Sequence, residues 1–458
     1  MSRYTSATDR DRERMLAKIG VSSVGDLFAD VPEGVRLDRP LDLPAGKPEA
    51  EVFDRLSALA DRNAHAGREV CFLGAGMYDH YVPAIVDSIC QRSEFLTPYT
   101  PYQPEISQGT LQAMFEYQTA ISELTGMPVS NASLYEGPSS VAAAGYLAKL
   151  ETGRRRFVVS RGVHPHSRET LETYSAGYGT EVFEVPLKSG VTDADALAQA
   201  VDDDTAAVVL QYPNFLGAVE DLAALAPVAK STGALLVVSA DAPTLGILKP
   251  PGELGADVVI GEGQPLGNRL DFGGPSFGFF AAREEFLRRM PGRIAGETTD
   301  VDGRRGFVLA LQTREQHIRR EKATSNICTS QALNALAGAI YLSWLGRQGI
   351  VELGTVMAQR TAYARKRLGA VEGVELLHAD PVVREFPVRL AAPVDAVLQR
   401  CAERGVNAGY PLGRDYPEYA DGLLVAITER TSPADIDLLA DVLGAAVAAE
   451  REQQAVTA

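Results

Sequence analysis

Between residues 156 and 260 the chain alternates short, wholly apolar runs with stretches of helical character, and this alternation narrows the possible folds more than any other feature. Phe157–Ser160, Glu181–Val185, Ala206–Tyr212, Leu235–Ser239 and Asp257–Ile260 have strand length and strand composition. Ser167–Ser175, Ala194–Val201 and Ala223–Thr232 lie between them as helices. Strands that are apolar on both faces need cover on both faces, and parallel neighbours need helical crossovers. The pattern predicts an α/β fold with a mostly parallel sheet. Ligands of such sheets bind beyond the carboxyl ends of the strands. Here those ends carry Val163-His-Pro-His166, Tyr212-Pro-Asn214, Asp241-Ala-Pro-Thr244 and Gly261-Glu-Gly-Gln-Pro-Leu-Gly267.

Around this centre the chain reads as three parts: an arm over 1–65, a large α/β domain over 66–330 and an α+β domain over 331–458. A chain of 458 residues exceeds what a single core usually serves. In the arm, Ser6 or Thr8 can cap a helix over Asp9–Ile19 that Gly20 ends; a short helix over Ser22–Phe28, proline-rich extended chain and a helix from about Glu49 to Asn63 follow. The arm has little apolar content, so it is expected to lie across another domain or subunit. In the last part, helices Gln331–Leu345, Leu353–Leu368 and Pro433–Ala449 and strands Val374–Leu377, Val382–Pro387 and Leu423–Ala426 are predicted. Within the large domain, 273–278 reads as a Gly-rich turn and 313–330 as a basic, polar stretch.

The net charge of −16 argues against nucleic acid or an anionic membrane as the main partner. No run approaches the roughly 20 apolar residues of a membrane span, and the N-terminus lacks an apolar signal core. The four cysteines are scattered without metal-ligand spacing, which reads as a reduced, cytoplasmic protein.

One loop is unusual. Thr97-Pro-Tyr-Thr-Pro-Tyr-Gln-Pro-Glu-Ile-Ser-Gln-Gly109 carries three prolines in thirteen residues. Proline fixes φ and pushes the preceding residue to extended conformations, so the loop should be stiff and should hold Tyr99, Thr100, Tyr102 and Gln103 in fixed directions. It is either a packing loop or a wall of a binding site. It runs into a helix marked by Leu111, Met114, Phe115, Ile121 and Leu124, with Ser107-Gln-Gly109 at the start and Gly126 as the stop.

Asn131-Ala-Ser-Leu-Tyr-Glu-Gly-Pro-Ser-Ser140 precedes an Ala-rich helix over Val141–Leu150. Such a loop either seats a phosphate or is capped by Ser139 or Ser140. Gly74 and Gly76 suit a close backbone approach, beside Tyr78 and His80. With His164 or His166 after one strand and Asp241 after another, this frame resembles the fold type I pyridoxal-phosphate enzymes. In those enzymes the cofactor phosphate sits on a helix N-terminus, a His or aromatic side chain stacks on the ring, an Asp pairs with the pyridinium nitrogen and a Lys holds the cofactor covalently. The lysine is expected after Asp257–Ile260, yet the only lysine between Ser231 and Glu321 is Lys249, which precedes that strand. Lys249 is a solvated turn residue or, on a rival reading, the anchor of an independent lyase.

The proline-rich loop Thr97–Gly109, Phe115-Glu-Tyr-Gln-Thr119, Glu123-Leu-Thr-Gly126, Asn131-Ala-Ser-Leu134 and Ser325-Asn-Ile-Cys-Thr-Ser-Gln-Ala-Leu333 resemble the P-protein of the glycine cleavage system, glycine decarboxylase. The starting segment Asp9–Gly20, Leu27, Val35-Arg-Leu37 and Arg39-Pro-Leu41 is similar to that family's start. Gly261-Glu-Gly-Gln-Pro-Leu-Gly267 and Phe272-Gly-Gly-Pro275 resemble subunit 1 of its two-chain bacterial branch. The resemblance implies a heterotetramer of two plus two chains. Subunit 2 holds pyridoxal 5'-phosphate, and none is covalently bound to subunit 1. Glycine is decarboxylated, CO2 leaves, and the aminomethyl group passes to the lipoyl arm of H-protein. On that basis Tyr99, Thr100, Tyr102 and Gln103 are expected to line the partner's active site. Ser139, Ser140, His164 and Asp241 are expected to mark a vestigial pocket, and Thr329 and Ser330 either approach a phosphate or cap a helix. The alternative is a catalytically silent, purely structural partner.

Overall fold

A computed structural model describes residues 6–32, 34–37, 39–327 and 330–457. The chain divides into two compact units, Met1–Ala64 and His65–Ala458. In the first, helix α1 (Asp9–Ile19) begins at Thr8, whose hydroxyl accepts from the Asp11 amide while the Asp11 carboxylate accepts from the Thr8 amide, 3.0 Å away. Gly20, at φ 88°, ends it. A single-turn 3-10 helix over Val24–Phe28 repeats the reciprocal cap with Ser23 and Asp26. Helix α2 spans Glu49–Ala60.

The second unit is built on a seven-stranded sheet. Its strands are β1 (Val129–Ser130), β2 (Arg156–Ser160), β3 (Glu181–Val185), β4 (Thr205–Tyr212), β5 (Leu235–Ala240), β6 (Val258–Glu262) and β7 (Gly278–Ala282). Their order is β1-β7-β6-β5-β4-β2-β3. The five strands expected from the sequence are all parallel, with Val158 opposite Val208, Ala207 opposite Leu235 and Val237 opposite Val258. Alternation divides their apolar side chains between two cores. Val158, Val208, Leu236 and Val259 face one, with Tyr117 and Ile121 of α3 (Gln108–Thr125). Phe157, Val209, Val237 and Ile260 face the other, with Val141 and Leu147 of α4 (Gly137–Thr152) and Leu171 of α5 (Pro165–Tyr178). Helices α6 (Ala194–Ala200) and α7 (Leu222–Ala229) complete the crossovers.

Strand β7 runs antiparallel between β1 and β6, with Phe280 opposite Ile260. The sequence reading stopped at the Gly-rich turn before it and assigned no strand. Phe279 and Phe280 are both fully buried, one in each core, so β7 is as two-faced as the strands the pattern did reveal. A hairpin, β8 (Ile294–Thr299) with β9 (Arg305–Ala310), was also not anticipated.

Helix α8 (Ala332–Leu368) joins the two expected helices, with a break at Gly346, where φ is 60° and ψ −175°. Only glycine adopts such a backbone readily. Ala335, Tyr341, Leu353 and Met357 of α8 enter the core that holds Tyr117; Ala364 and Leu368 enter a third core. The expected boundary at 330/331 thus falls just before a helix that serves both. The third core lies under a four-stranded antiparallel sheet of β10 (Val374–Leu376), β11 (Glu385–Leu390), β12 (Tyr410–Pro411) and β13 (Gly422–Ala426), with α9 (Val394–Ala402) and α10 (Pro433–Thr457). Strand β11 starts three residues later than its apolar run suggests, because Val382 bridges to Ala218 instead.

Among the described residues no helix is long and apolar enough to cross a membrane, and no group of His, Cys, Asp and Glu could hold a metal. Phe280→Ala should lower stability by about 3–5 kcal/mol, the usual cost of emptying a buried aromatic site. A urea midpoint of the full chain unchanged from wild type would contradict the central place given to β7.

Candidate functional site

Three of the four expected strand-end loops converge on one cavity of about 380 Å3, and Tyr212-Pro-Asn214 does not line it. Gln211 of β4, Ser239 and Ala240 of β5, Asp241 just beyond it and Glu262 of β6 form its floor, and Glu136 to Pro138 at the start of α4 form one wall. His164 and His166, Ala75 to Tyr78 and Arg384 close the rest.

Helix α4 begins at Gly137, so Ser139 and Ser140 lie inside its first turn and neither is the cap. Their hydroxyls donate to the Glu136 carbonyl at 3.1 and 2.8 Å. The cap is Glu136, whose carboxylate accepts from the Ser139 amide at 3.0 Å. A second carboxylate, Glu262, accepts from the Gly137 amide at 2.9 Å and the Gln264 amide at 2.9 Å. Burial pushes the Glu262 carboxyl above its ordinary range, against the pull of these donors and of the Ser276 hydroxyl.

His164 lines the cavity and is fixed at both nitrogens. Nε2 lies 2.8 Å from the Ala75 carbonyl, to which it donates, and Nδ1 accepts from the His166 amide at 3.1 Å. Burial drives its pKa down to about 4, so the ring is uncharged at neutral pH. Gly76, at φ 101°, admits it: a Cβ there would lie 2.7 Å from His164 Nε2.

Asp241 stands at the carboxyl end of β5, 2.5 Å from Arg384 Nη2. Arg384 arrives from the strand-entry of β11 and is almost wholly buried. Its Nη1 lies 2.7 Å from His80 Nε2, and His80 Nδ1 lies 2.6 Å from Glu429. A guanidinium can only donate, so His80 accepts at Nε2 and carries its ring proton on Nδ1, toward Glu429. The guanidinium also stacks 3.3 Å from the centroid of the Tyr78 ring. Tyr78 donates its hydroxyl to Glu385 at 2.5 Å, and Glu385 accepts from the Ala75 amide at 2.7 Å. Arg384 Nε has no partner among the described residues. Tyr78 and His80 stand beside the Gly74 and Gly76 turn that the sequence marks, whereas sequence reasoning singled out none of Glu136, Glu262, Arg384 and Glu385. Arg384 and Glu385 are more than 140 positions from Asp241, and no local pattern marks them.

Among the described residues no lysine lines the cavity. Gln264, two residues beyond β6, is fully buried: its Oε1 accepts from the Tyr78 amide, and its Nε2 donates to the Tyr78 and Asn268 carbonyls. Lys249 is exposed, 3.9 Å from Glu253, and borders a separate cleft with Lys230 near the amino ends of β5 and β6.

The proline-rich loop does not line this cavity. Tyr99 is 76% exposed beside an apolar cleft with Phe95, Leu96, Met114 and Leu333. Tyr102 accepts at its hydroxyl from Arg293 Nη2, 3.1 Å away; the guanidinium lies 5.5 Å from its ring, and His317 packs edge-on. Thr100 is half-buried, and Gln103 is exposed. The loop's end is pinned by Gln108, whose amide donates to the Pro104 and Phe307 carbonyls and accepts from the Phe307 amide. Arg293, from β8's approach, carried no sequence signal. Thr329 lies outside the described residues; Ser330 precedes α8 at φ 47°.

This fold, a mostly parallel sheet with an antiparallel C-terminal domain, is that of the fold type I pyridoxal-phosphate-dependent enzymes. It is shared with a sphingosine-1-phosphate lyase of Burkholderia pseudomallei at 18% identity, with a TM-score of 0.64 over 94% of this chain and 96% of that chain. Residues 2–443 match the model of the glycine cleavage system P-protein family, and the chain belongs to that family. It is 50% identical over 97% of its length to a protein of Geobacillus thermodenitrificans named "Probable glycine dehydrogenase (decarboxylating) subunit 1", 99% of which is covered. A protein of the same name from Carboxydothermus hydrogenoformans is also 50% identical, over 96% of this chain and 99% of the relative. A solved structure described as glycine decarboxylase (P-protein) of the glycine cleavage system, in inhibitor-bound form, aligns with a TM-score of 0.89 and 44% identity, covering 97% of this chain and all of that one. The residues of the cavity do not fit the cofactor of the fold class. It offers no lysine, its helix end is occupied by carboxylates, and its aspartate is already paired with an arginine.

Burial raises the Glu385 carboxyl to about 6, more than the Tyr78 hydroxyl and Arg384 lower it. The folded chain therefore binds this proton more readily than the unfolded chain does, and ionised Glu385 costs stability above pH 6. Relative to Glu385→Gln, wild type should gain on the order of 1–2 kcal/mol as the pH falls from 7.5 to 4.5. Parallel urea titrations of the two proteins check this; a difference that does not vary with pH would contradict it.

Proposed function

We propose that this chain is subunit 1 of a two-chain glycine decarboxylase and serves as its cofactor-free half. In the assembled enzyme, a heterotetramer of two plus two chains in the cytoplasm, subunit 2 holds pyridoxal 5'-phosphate. Glycine is decarboxylated there, CO2 leaves, and the aminomethyl group passes to the lipoyl arm of H-protein. The cofactor supplies an electron sink for the carbanion. This chain supplies the wall formed by Tyr99, Thr100, Tyr102 and Gln103, which borders the partner's site.

The observation that carries this reading is the separation of two features within one chain. The loop is clamped by Arg293 and Gln108, as a catalytic wall must be, yet it borders no part of the chain's own cavity. Tyrosine suits the role, because it is stiff and amphipathic and ends in a hydroxyl that can orient a ligand group. The relatives' designation as subunit 1 supports a second chain for the loop to serve.

The test is the reconstituted pair carrying Tyr102→Phe and Gln103→Ala. Glycine decarboxylation should fall by at least about tenfold, the value of one hydrogen bond to a charged or reacting group. Complex mass by light scattering should not change. Arg293→Gln should reduce turnover in the same direction by freeing Tyr102. Normal assembly with undiminished turnover in all three variants would leave the chain a purely structural partner.

A further inference from the structure

The cavity excludes the cofactor by more than the missing lysine. In folds of this kind a phosphate is held by the free amides of a helix's first turn. The donors at the start of α4 can be counted completely. The Gly137 amide donates to Glu262 at 2.9 Å. Pro138 has no N–H. The Ser139 amide donates to the Glu136 carboxylate at 3.0 Å, and the Ser140 amide donates to the Glu136 carbonyl at 3.2 Å. The hydroxyls of Ser139 and Ser140 are spent on that same carbonyl. None of these donors remains for a ligand. The fit at Gly137 is also tight: a Cβ there would lie 3.1 Å from the Glu262 Cβ and the Glu262 backbone nitrogen. The groups that fill the seat are acceptors, so a phosphate would meet carboxyl oxygens where it needs donors.

We propose that Glu136 and Glu262 act as a built-in replacement for the cofactor phosphate. Their carboxylates satisfy the helix end from within and bar pyridoxal 5'-phosphate and other phosphate esters from the cavity. The proposal rests on the reading of this chain as the cofactor-free half. It adds that restoring a lysine alone would not restore a cofactor site. The exclusion is specific to the phosphate end. At the far side of the cavity Arg384 Nε is unpartnered, so the barrier does not come from a general lack of cationic donors.

The test uses the full-length chain purified alone and pyridoxine 5'-phosphate, whose alcohol cannot form imines with surface lysines. Inorganic phosphate and phosphate-free pyridoxine are the comparison probes, all followed by equilibrium dialysis at neutral pH. Wild type should show no saturable binding of either phosphate probe. Glu136→Ala/Glu262→Ala, which frees the Gly137 and Ser139 amides, should bind pyridoxine 5'-phosphate and inorganic phosphate at least about tenfold more tightly than wild type, with no change for pyridoxine. If that variant does not fold, Glu136→Gln/Glu262→Gln, which keeps the shapes and removes both charges, should still gain several-fold. Saturable phosphate-dependent binding by wild type would overturn the proposal. So would a folded variant of either kind that binds no better than wild type. The readout is independent of the partner chain, so failure here leaves the loop reading standing, and failure of the loop variants leaves this result standing.

Discussion

The buried guanidinium of Arg384 is the point on which the cavity depends. It pairs with Asp241 at the end of β5, donates to His80, covers the Tyr78 ring and precedes the strand that carries Glu385. It therefore ties the parallel sheet, the 74–80 segment and the C-terminal sheet into one body. Removing one partner of such a pair costs on the order of 3–5 kcal/mol, because the other charge is left buried and uncompensated. The same contact consumes Asp241, so the group that holds the domains together also takes the carboxylate that a pyridinium ring would need.

The rest of the cavity follows one logic. Apart from Arg384 Nε, the polar groups described for the cavity find their partners within the chain. Gln264 fills its place with three backbone hydrogen bonds. His164 is fixed between the Ala75 carbonyl and the His166 amide. The helix end has its own carboxylates. Buried polar groups must find partners, and in this cavity other groups of the same chain provide them. Outside the cavity the proline-rich loop is held just as firmly, with Tyr99 exposed beside an apolar cleft and Tyr102 against Arg293 and His317.

Much of this was legible in the sequence, for identifiable reasons. The five parallel strands were readable because they are apolar on both faces and bounded by helices of clear period. His164 and Asp241 were found because the ends of parallel strands are where such sheets bind ligands. Strand β7 was hidden by the glycines and proline that precede it, and β11 was misplaced by three residues because Val382 and Val383 are apolar for a different purpose. Glu136 and Glu262 sat in quoted motifs, yet a carboxylate that caps a helix from a neighbouring strand has no sequence pattern. Arg384 and Arg293 reach their partners across long sequence separations, and only the fold brings them together.

The central claim is that this chain borders an active site whose cofactor belongs to the other subunit. The most direct measurement is borohydride reduction of the assembled, cofactor-loaded complex, followed by intact mass determination of both chains. The account predicts a pyridoxyl adduct on the partner subunit alone, with this chain at its unmodified mass. A stoichiometric adduct on this chain, at Lys249 or any other lysine, would contradict it.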